Sequence, residues 1–118
     1  MYLYTWGNGF QSKLGHGDSE NLCEPLFLET NYNFIDICAG NNHSAGIDED
    51  NNLIVWGPHK YFGLQFLIDN SEGYSKDNEG REEFIKPTLH PKFKNIQIVS
   101  VYLGDKYNIA ISKQNVIY

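Results

Sequence analysis

Positive charge is scarce in this sequence. Lys and Arg together number 9 against 15 Asp and Glu, leaving a net charge of −6. Nonspecific affinity for nucleic acid comes from Lys and Arg displacing phosphate counterions, so this balance argues against direct binding to DNA or RNA. The most basic stretch, Lys86 to Lys94, holds three lysines and one His among Pro87 and Pro91, and is expected to be a solvated connection. Cysteine is nearly absent. Cys23 and Cys38 lack Cys-x-x-Cys spacing, which removes both a redox motif and a zinc knuckle. No long apolar run exists, and the start, Met1-Tyr2-Leu3-Tyr4-Thr5-Trp6, has no basic region, so neither a membrane span nor a signal peptide is read there. A soluble intracellular protein, cytoplasmic or nuclear, is the expectation. Without a secretion signal, the Asn42-His43-Ser44 acceptor pattern is read as chance. No segment carries a helical apolar stripe.

What remains suits a folded, turn-rich chain: 41% hydrophobic, 20% charged, 14% aromatic and 11 glycines in 118 residues, about one domain. The main signal is internal repetition. Leu3-Tyr4-Thr5-Trp6-Gly7 returns as Leu53-Ile54-Val55-Trp56-Gly57, an offset of 50. Ile35-Asp36-Ile37-Cys38-Ala39-Gly40 returns as Val99-Ser100-Val101-Tyr102-Leu103-Gly104 at 64, as does Ser44-Ala45-Gly46-Ile47 as Asn108-Ile109-Ala110-Ile111. Pro25 has its counterpart in Pro87, at 62. The second unit therefore carries an insertion of about a dozen residues between Gly57 and Pro87. Apolar residues alternate with a period of two between polar turns, which predicts β structure throughout. Asp48 to Asn52 and Ser112 to Asn115 are predicted hairpin turns. Units of this length suit propeller blades, which are stable only when stacked. Kelch units typically carry a Gly-Gly pair, which is missing here, and Trp-Asp repeats place Asp where this chain has Gly.

The landmarks Trp6-Gly7, Ser12-Lys13-Leu14-Gly15-His16-Gly17-Asp18, Pro25, Cys38-Ala39-Gly40-Asn41-Asn42-His43-Ser44 and Trp56-Gly57 fall in the order that resembles the regulator of chromosome condensation repeat. The second unit is degenerate, with Phe62-Gly63-Leu64-Gln65 at the turn, Leu103 for Ala and Tyr107 where His43 stands in the first. The resemblance implies an all-β chain of propeller blades in an incomplete ring: residues 1–57 as the first repeat and 58–118 as the second, degenerate one, with an insertion at about 67–83. The segment from Asp69 to Gly80 is expected to be a mobile polar loop. The chain starts just before one Trp-Gly and stops one residue short of the place of another, which suggests an excerpt of a larger ring.

Under this resemblance the motif residues Trp6, Gly7, Leu14, Gly15, Pro25, Gly40, His43, Trp56, Gly57, Gly63, Pro87 and Gly104 are structural. Trp6 and Trp56 are expected to fill space between blades, and His43 to be a packed, hydrogen-bonded residue. His16, Asp18 and His43 are the only set that suggests a metal or acid-base site, and a turn is the preferred reading of the first two. Gly7-Asn8-Gly9 and Gly15-His16-Gly17 open no predicted helix and have no Gly-Lys-Ser/Thr, so no phosphate cradle is read. No catalytic residue, cofactor or metal is expected, and the acidic runs are read as solvating. The first functional reading is a noncatalytic protein-interaction scaffold with the insertion as its binding surface. Alternatives implied by the resemblance are part of a guanine-nucleotide exchange factor for a Ran-type small GTPase, or the repeat segment of a larger ubiquitin-ligase or kinase protein. Self-association or missing blades are expected to cover the open edges.

Overall fold

The computed structural model describes residues 2–63, 74–76 and 82–118. Among the described residues nine strands follow one another: β1 (Tyr4–Gly7), β2 (Leu22–Phe27), β3 (Phe34–Ala39), β4 (Ser44–Asp48), β5 (Leu53–Pro58), β6 (Tyr74–Lys76), β7 (Glu82–Leu89), β8 (Ile98–Leu103) and β9 (Asn108–Ser112). Short 3-10 turns at Phe10–Ser12, His59–Phe62 and Pro91–Phe93 join some of them. All pairings are antiparallel. The central sheet has the order β3-β4-β5-β7-β6, and two-stranded sheets β1-β2 and β8-β9 flank it.

These sheets are pieces of one pattern, related residue by residue through the sequence offsets. In β1-β2, Thr5 faces Leu26 and Gly7 faces Leu22; in β5-β7, Val55 faces Thr88 and Gly57 faces Phe84. Each pair therefore has the same irregularity opposite its Trp, and the bulged side holds Pro25 in one and Pro87 in the other. A bulge is where a strand accommodates proline, which has no N–H to give to the ladder. Gly7 and Gly57, immediately after each Trp, have φ of 105° and 114°, values that an L side chain rarely adopts. Likewise β3-β4 and β8-β9 share a register at the offset of 64, with Phe34 facing Asp48 and Ile98 facing Ser112, and slip alike at Ile35 and Val99.

The central sheet is thus one whole four-stranded blade, β3-β4-β5-β7, with β6 added at its edge. β1-β2 is the second half of a preceding blade, and β8-β9 is the first half of a following one. The whole blade straddles the boundary between the two sequence repeats, because a repeat measured from Trp-Gly to Trp-Gly begins in the middle of a sheet. Both hairpins expected from sequence form: β4 returns through Asp48–Asn52 into β5, and after β9 the chain turns at Ser112 to Asn115 so that Ile117 bridges Ile111. Asp48 ties the first turn, its carboxylate accepting from the amides of Asp50 and Asn52 and from the Asn52 side chain.

β5 is flanked on both edges and every one of its six residues is buried. The core gathers Ile47, Leu53, Ile54, Val55, Trp56 and Phe84 from the whole blade with Leu3 and Leu28 from one side and Ile98, Val101 and Ala110 from the other. Side chains of this size contribute roughly 1.5–3 kcal/mol each when fully buried.

The structure corrects two expectations. Residues 86–89 of the basic stretch are not a solvated connection but the second half of β7, with Thr88 and His90 buried. Of the insertion at about 67–83, most of the expected mobile loop lies outside the described residues, yet Tyr74–Lys76 within it is a strand that pairs with Glu82 to Phe84.

Candidate functional site

The polar chemistry of the chain collects where the whole blade meets β8-β9. Gly40 and Gly104 close equivalent turns, the Gly40 N–H donating to the His43 carbonyl and the Gly104 N–H to the Tyr107 carbonyl, both at 2.8 Å. Each turn folds a ring over its glycine. A Cβ on Gly40 would lie 2.8 Å from the buried His43 ring, which excludes a side chain by contact, and one on Gly104 would lie 2.5 Å from the exposed Tyr107 ring, which would have to swing aside. Tyr107 thus stands in the place of His43 over its glycine, but is exposed where His43 is buried.

His43 is fully buried, stacked on Tyr61 and edge-on to Phe62. Its Nε2 lies 2.6 Å from Asn108 Oδ1, while the Asn108 amide nitrogen donates to the Tyr61 carbonyl. That second bond fixes the amide orientation, so His43 Nε2 carries the hydrogen and donates across the seam to β9. Burial holds its pKa below the ordinary imidazole value. Ser44, the counterpart of Asn108 at the start of β4, does the same job one seam earlier, its hydroxyl donating to the Lys13 carbonyl at 2.9 Å.

His90 closes the other end of the seam. Its Nε2 is 3.1 Å from the Phe62 carbonyl, and its Nδ1 accepts the Lys92 N–H at 3.2 Å. One partner can only accept and the other can only donate, so the ring is the neutral Nε2–H form. Burial pushes its pKa down from 6.5 to about 4.

The residues weighed as a metal or acid-base set separate in space by their partners. His16 Nε2 lies 2.7 Å from the Thr5 hydroxyl, Asp18 accepts the Glu20 amide, and His43 is committed to Asn108. Among the described residues no three His, Cys, Asp or Glu side chains are grouped to hold a metal ion. The Gly15-His16-Gly17 turn packs on protein: Gly15 lies against the Trp56 indole, and the Gly17 amide donates to the Ile85 carbonyl in the β7 bulge at 2.9 Å. Leu14 is buried beside it, and Gly63 ends the turn after β5 in the left-handed region. Cys23 is exposed, Cys38 half-buried, and both are free thiols.

The two tryptophans differ. Trp56 is 3% exposed, packed on Phe34 and Gly15, whereas Trp6 is 56% exposed. Trp56 has β1-β2 and its turns in front of it, and among the described residues none stands in that place for Trp6. Tyr4, Phe10, Leu26 and Phe27 are exposed with it, and on the opposite flank so are Val99, Tyr102, Tyr107, Ile109 and Ile117. Sequence reasoning missed Asn108, Tyr61 and His90 as seam residues. Asn108 was findable, since it stands in register with Ser44.

One four-stranded antiparallel blade packed between two half-blades that repeat its pairings, with a buried tryptophan at one seam, defines a β-propeller architecture. Residues 2–47 match the family model of the Regulator of chromosome condensation (RCC1) repeat. Residues 2–47 thus carry a repeat of this family, and the chain as a whole resembles it. It is 32% identical over 77 residues to the X-linked retinitis pigmentosa GTPase regulator homolog of Caenorhabditis elegans, covering 64% of this chain and 6% of that protein. To the guanine nucleotide exchange factor SRM1 of Saccharomyces cerevisiae it is 26% identical over 123 residues, covering 98% of this chain and 23% of SRM1. The crystal structure of Prp20p from Saccharomyces cerevisiae, described with its binding to Gsp1p and histones, superposes with a TM-score of 0.83 at 25% identity, covering 99% of this chain and 28% of Prp20p. The chain thus spans about a quarter or less of the length of these relatives. Among the described residues no helix is long and apolar enough to cross a membrane.

Proposed function

We propose that the chain is a noncatalytic scaffold for a protein partner, docked on the edge that the insertion adds to the whole blade. The observation that carries this reading is β6: Tyr74–Lys76 extends the blade beyond β7 and is the last strand of the sheet among the described residues. A terminal strand offers backbone N–H and C=O groups that an extended peptide can pair with, and this one has no counterpart in the first unit. His43, Ser44, Asp48 and His90 are committed to holding seams and turns. Replacing residues 68–80 by a short Gly-Ser linker should abolish partner binding while circular dichroism keeps its β signature. Binding that survives the replacement overturns the assignment of the surface.

A second reading, part of an exchange factor acting on a Ran-type GTPase in the nucleus or cytoplasm, is favoured by the description of SRM1 as a guanine nucleotide exchange factor and of Prp20p as binding Gsp1p. It is checked by release of labelled GDP from a Ran-type GTPase. Under the scaffold reading the chain leaves the release rate unchanged, and acceleration by the chain would favour exchange.

A further inference from the structure

We infer that a buried hydrogen bond between Ser12 and Glu83 latches the β6 edge to the neighbouring half-blade, so that the edge forms only while the turn after β1 is seated. As a device serving that edge, the latch rests on the docking reading above. Glu83 stands at the root of the insertion, opposite Pro58 of β5 on one side and Ser75 of β6 on the other. Although acidic it is only 5% exposed, and the Ser12 hydroxyl, 1% exposed, donates to its Oε2 at 2.7 Å. A hydroxyl-to-carboxylate bond shielded from water is a strong one, and removing either partner strands the other.

Three observations set this bond apart from ordinary packing. First, Ser12 is held in a costly conformation. Gln11 and Ser12 are consecutive non-glycine residues at φ of 59° and 60°, a region that side chains rarely adopt. The Ser12 N–H donates to the Gly9 carbonyl and the Gly15 N–H to the Ser12 carbonyl, which keeps the hydroxyl aimed at the seam. Second, the hydroxyl is itself supported: Ser19 Oγ lies 3.3 Å from it and is the donor there, because the Ser12 hydrogen goes to Glu83. Third, the first unit treats the same position differently. Asn21, the counterpart of Glu83 at the offset of 62, accepts the Gly9 amide of its own half-blade at 2.9 Å, and among the described residues no strand is added beyond β2. Glu83 instead reaches across the seam. The Gly17 amide, donating to the Ile85 carbonyl, makes a second tie two residues along β7, so the turn grips that strand beside the residues β6 pairs with. Ser12 and Glu83 are thus positioning residues for the edge, and by reciprocity a strand docked on β6 and the seated turn steady each other.

Amide hydrogen exchange of the chain without any partner tests the latch separately from the docking reading, which the linker replacement tests. Ser12→Gly removes the hydroxyl while suiting the positive φ. It should speed exchange across Tyr74–Lys76 and Glu82–Phe84 by about tenfold or more and leave β4 and β5 unchanged. Glu83→Ala should do the same, whereas Glu83→Gln, whose amide oxygen still accepts, should keep most of the protection. The double variant Ser12→Gly, Glu83→Ala should be no faster than the faster single, since both remove one bond. If Glu83→Ala fails to fold, Ser12→Gly and Glu83→Gln decide. Unchanged exchange at β6 in Ser12→Gly, an equal rise throughout β4 and β5, or additive effects in the double variant would each overturn the inference.

Discussion

Lowering the pH should destabilise this chain through His90, by an amount the geometry sets. The ring is held neutral by donating to Phe62 and accepting from Lys92, and its folded pKa of about 4 lies below the 6.5 of an exposed imidazole. The unfolded chain therefore binds the proton more readily. The stability this represents is fully present above pH 6.5 and is lost as pH falls from 6.5 toward 4. At pH 5 the loss comes to about 2 kcal/mol, approaching about 3 kcal/mol below pH 4. For a chain of this size the loss by pH 5 lowers Tm by about 10 °C. His43, also held low by burial, adds in the same direction. The assay is thermal unfolding of the parent and of His90→Gln at steps between pH 7.5 and 5, before most carboxylates titrate. The variant should start less stable and lose less on acidification, so that the two curves converge. Parallel curves would refute the argument, because they would mean that His90 binds its proton equally in both states.

Trp56→Ala should cost about 3–5 kcal/mol in chemical unfolding, since it empties the seam between Phe34 and Gly15, while Trp6→Ala should change the stability of the isolated monomer by no more than about 0.5 kcal/mol. Gly46→Ala should lower stability by about 1–3 kcal/mol, because the added methyl would sit 2.5 Å from the Phe34 ring in the middle of β4. Asp48→Ala should cost about 1–3 kcal/mol by freeing the amides of Asp50 and Asn52, with no change in strand content by circular dichroism.

The repeat was legible because its offsets are consequences of register. Trp-Gly recurs where a bulge demands positive φ, and Pro recurs where that bulge tolerates it, so the sequence matches at 50, 62 and 64 map onto the strand pairings. The strand at Lys86 to Leu89 was hidden by the same bulge, which breaks the two-residue alternation and places Pro87 inside a sheet. Burial was illegible wherever it depends on a neighbour: Trp6 and Trp56 have the same local sequence, and only the second has a half-blade in front of it. The seam histidines were hidden for a similar reason. His43 reads as one motif residue, but its partner Asn108 is 65 positions away, and only the folded register brings them together.

Amide hydrogen exchange followed by NMR tests most directly the claim that this chain is one whole blade between two halves. The account predicts the slowest exchange at the paired amides of β4, β5 and the Thr88 to Leu89 end of β7, with distinctly faster exchange across β1-β2 and β8-β9 at concentrations where the chain is monomeric. Protection spread evenly over all of the strands, or strongest in the flanking pairs, would contradict it.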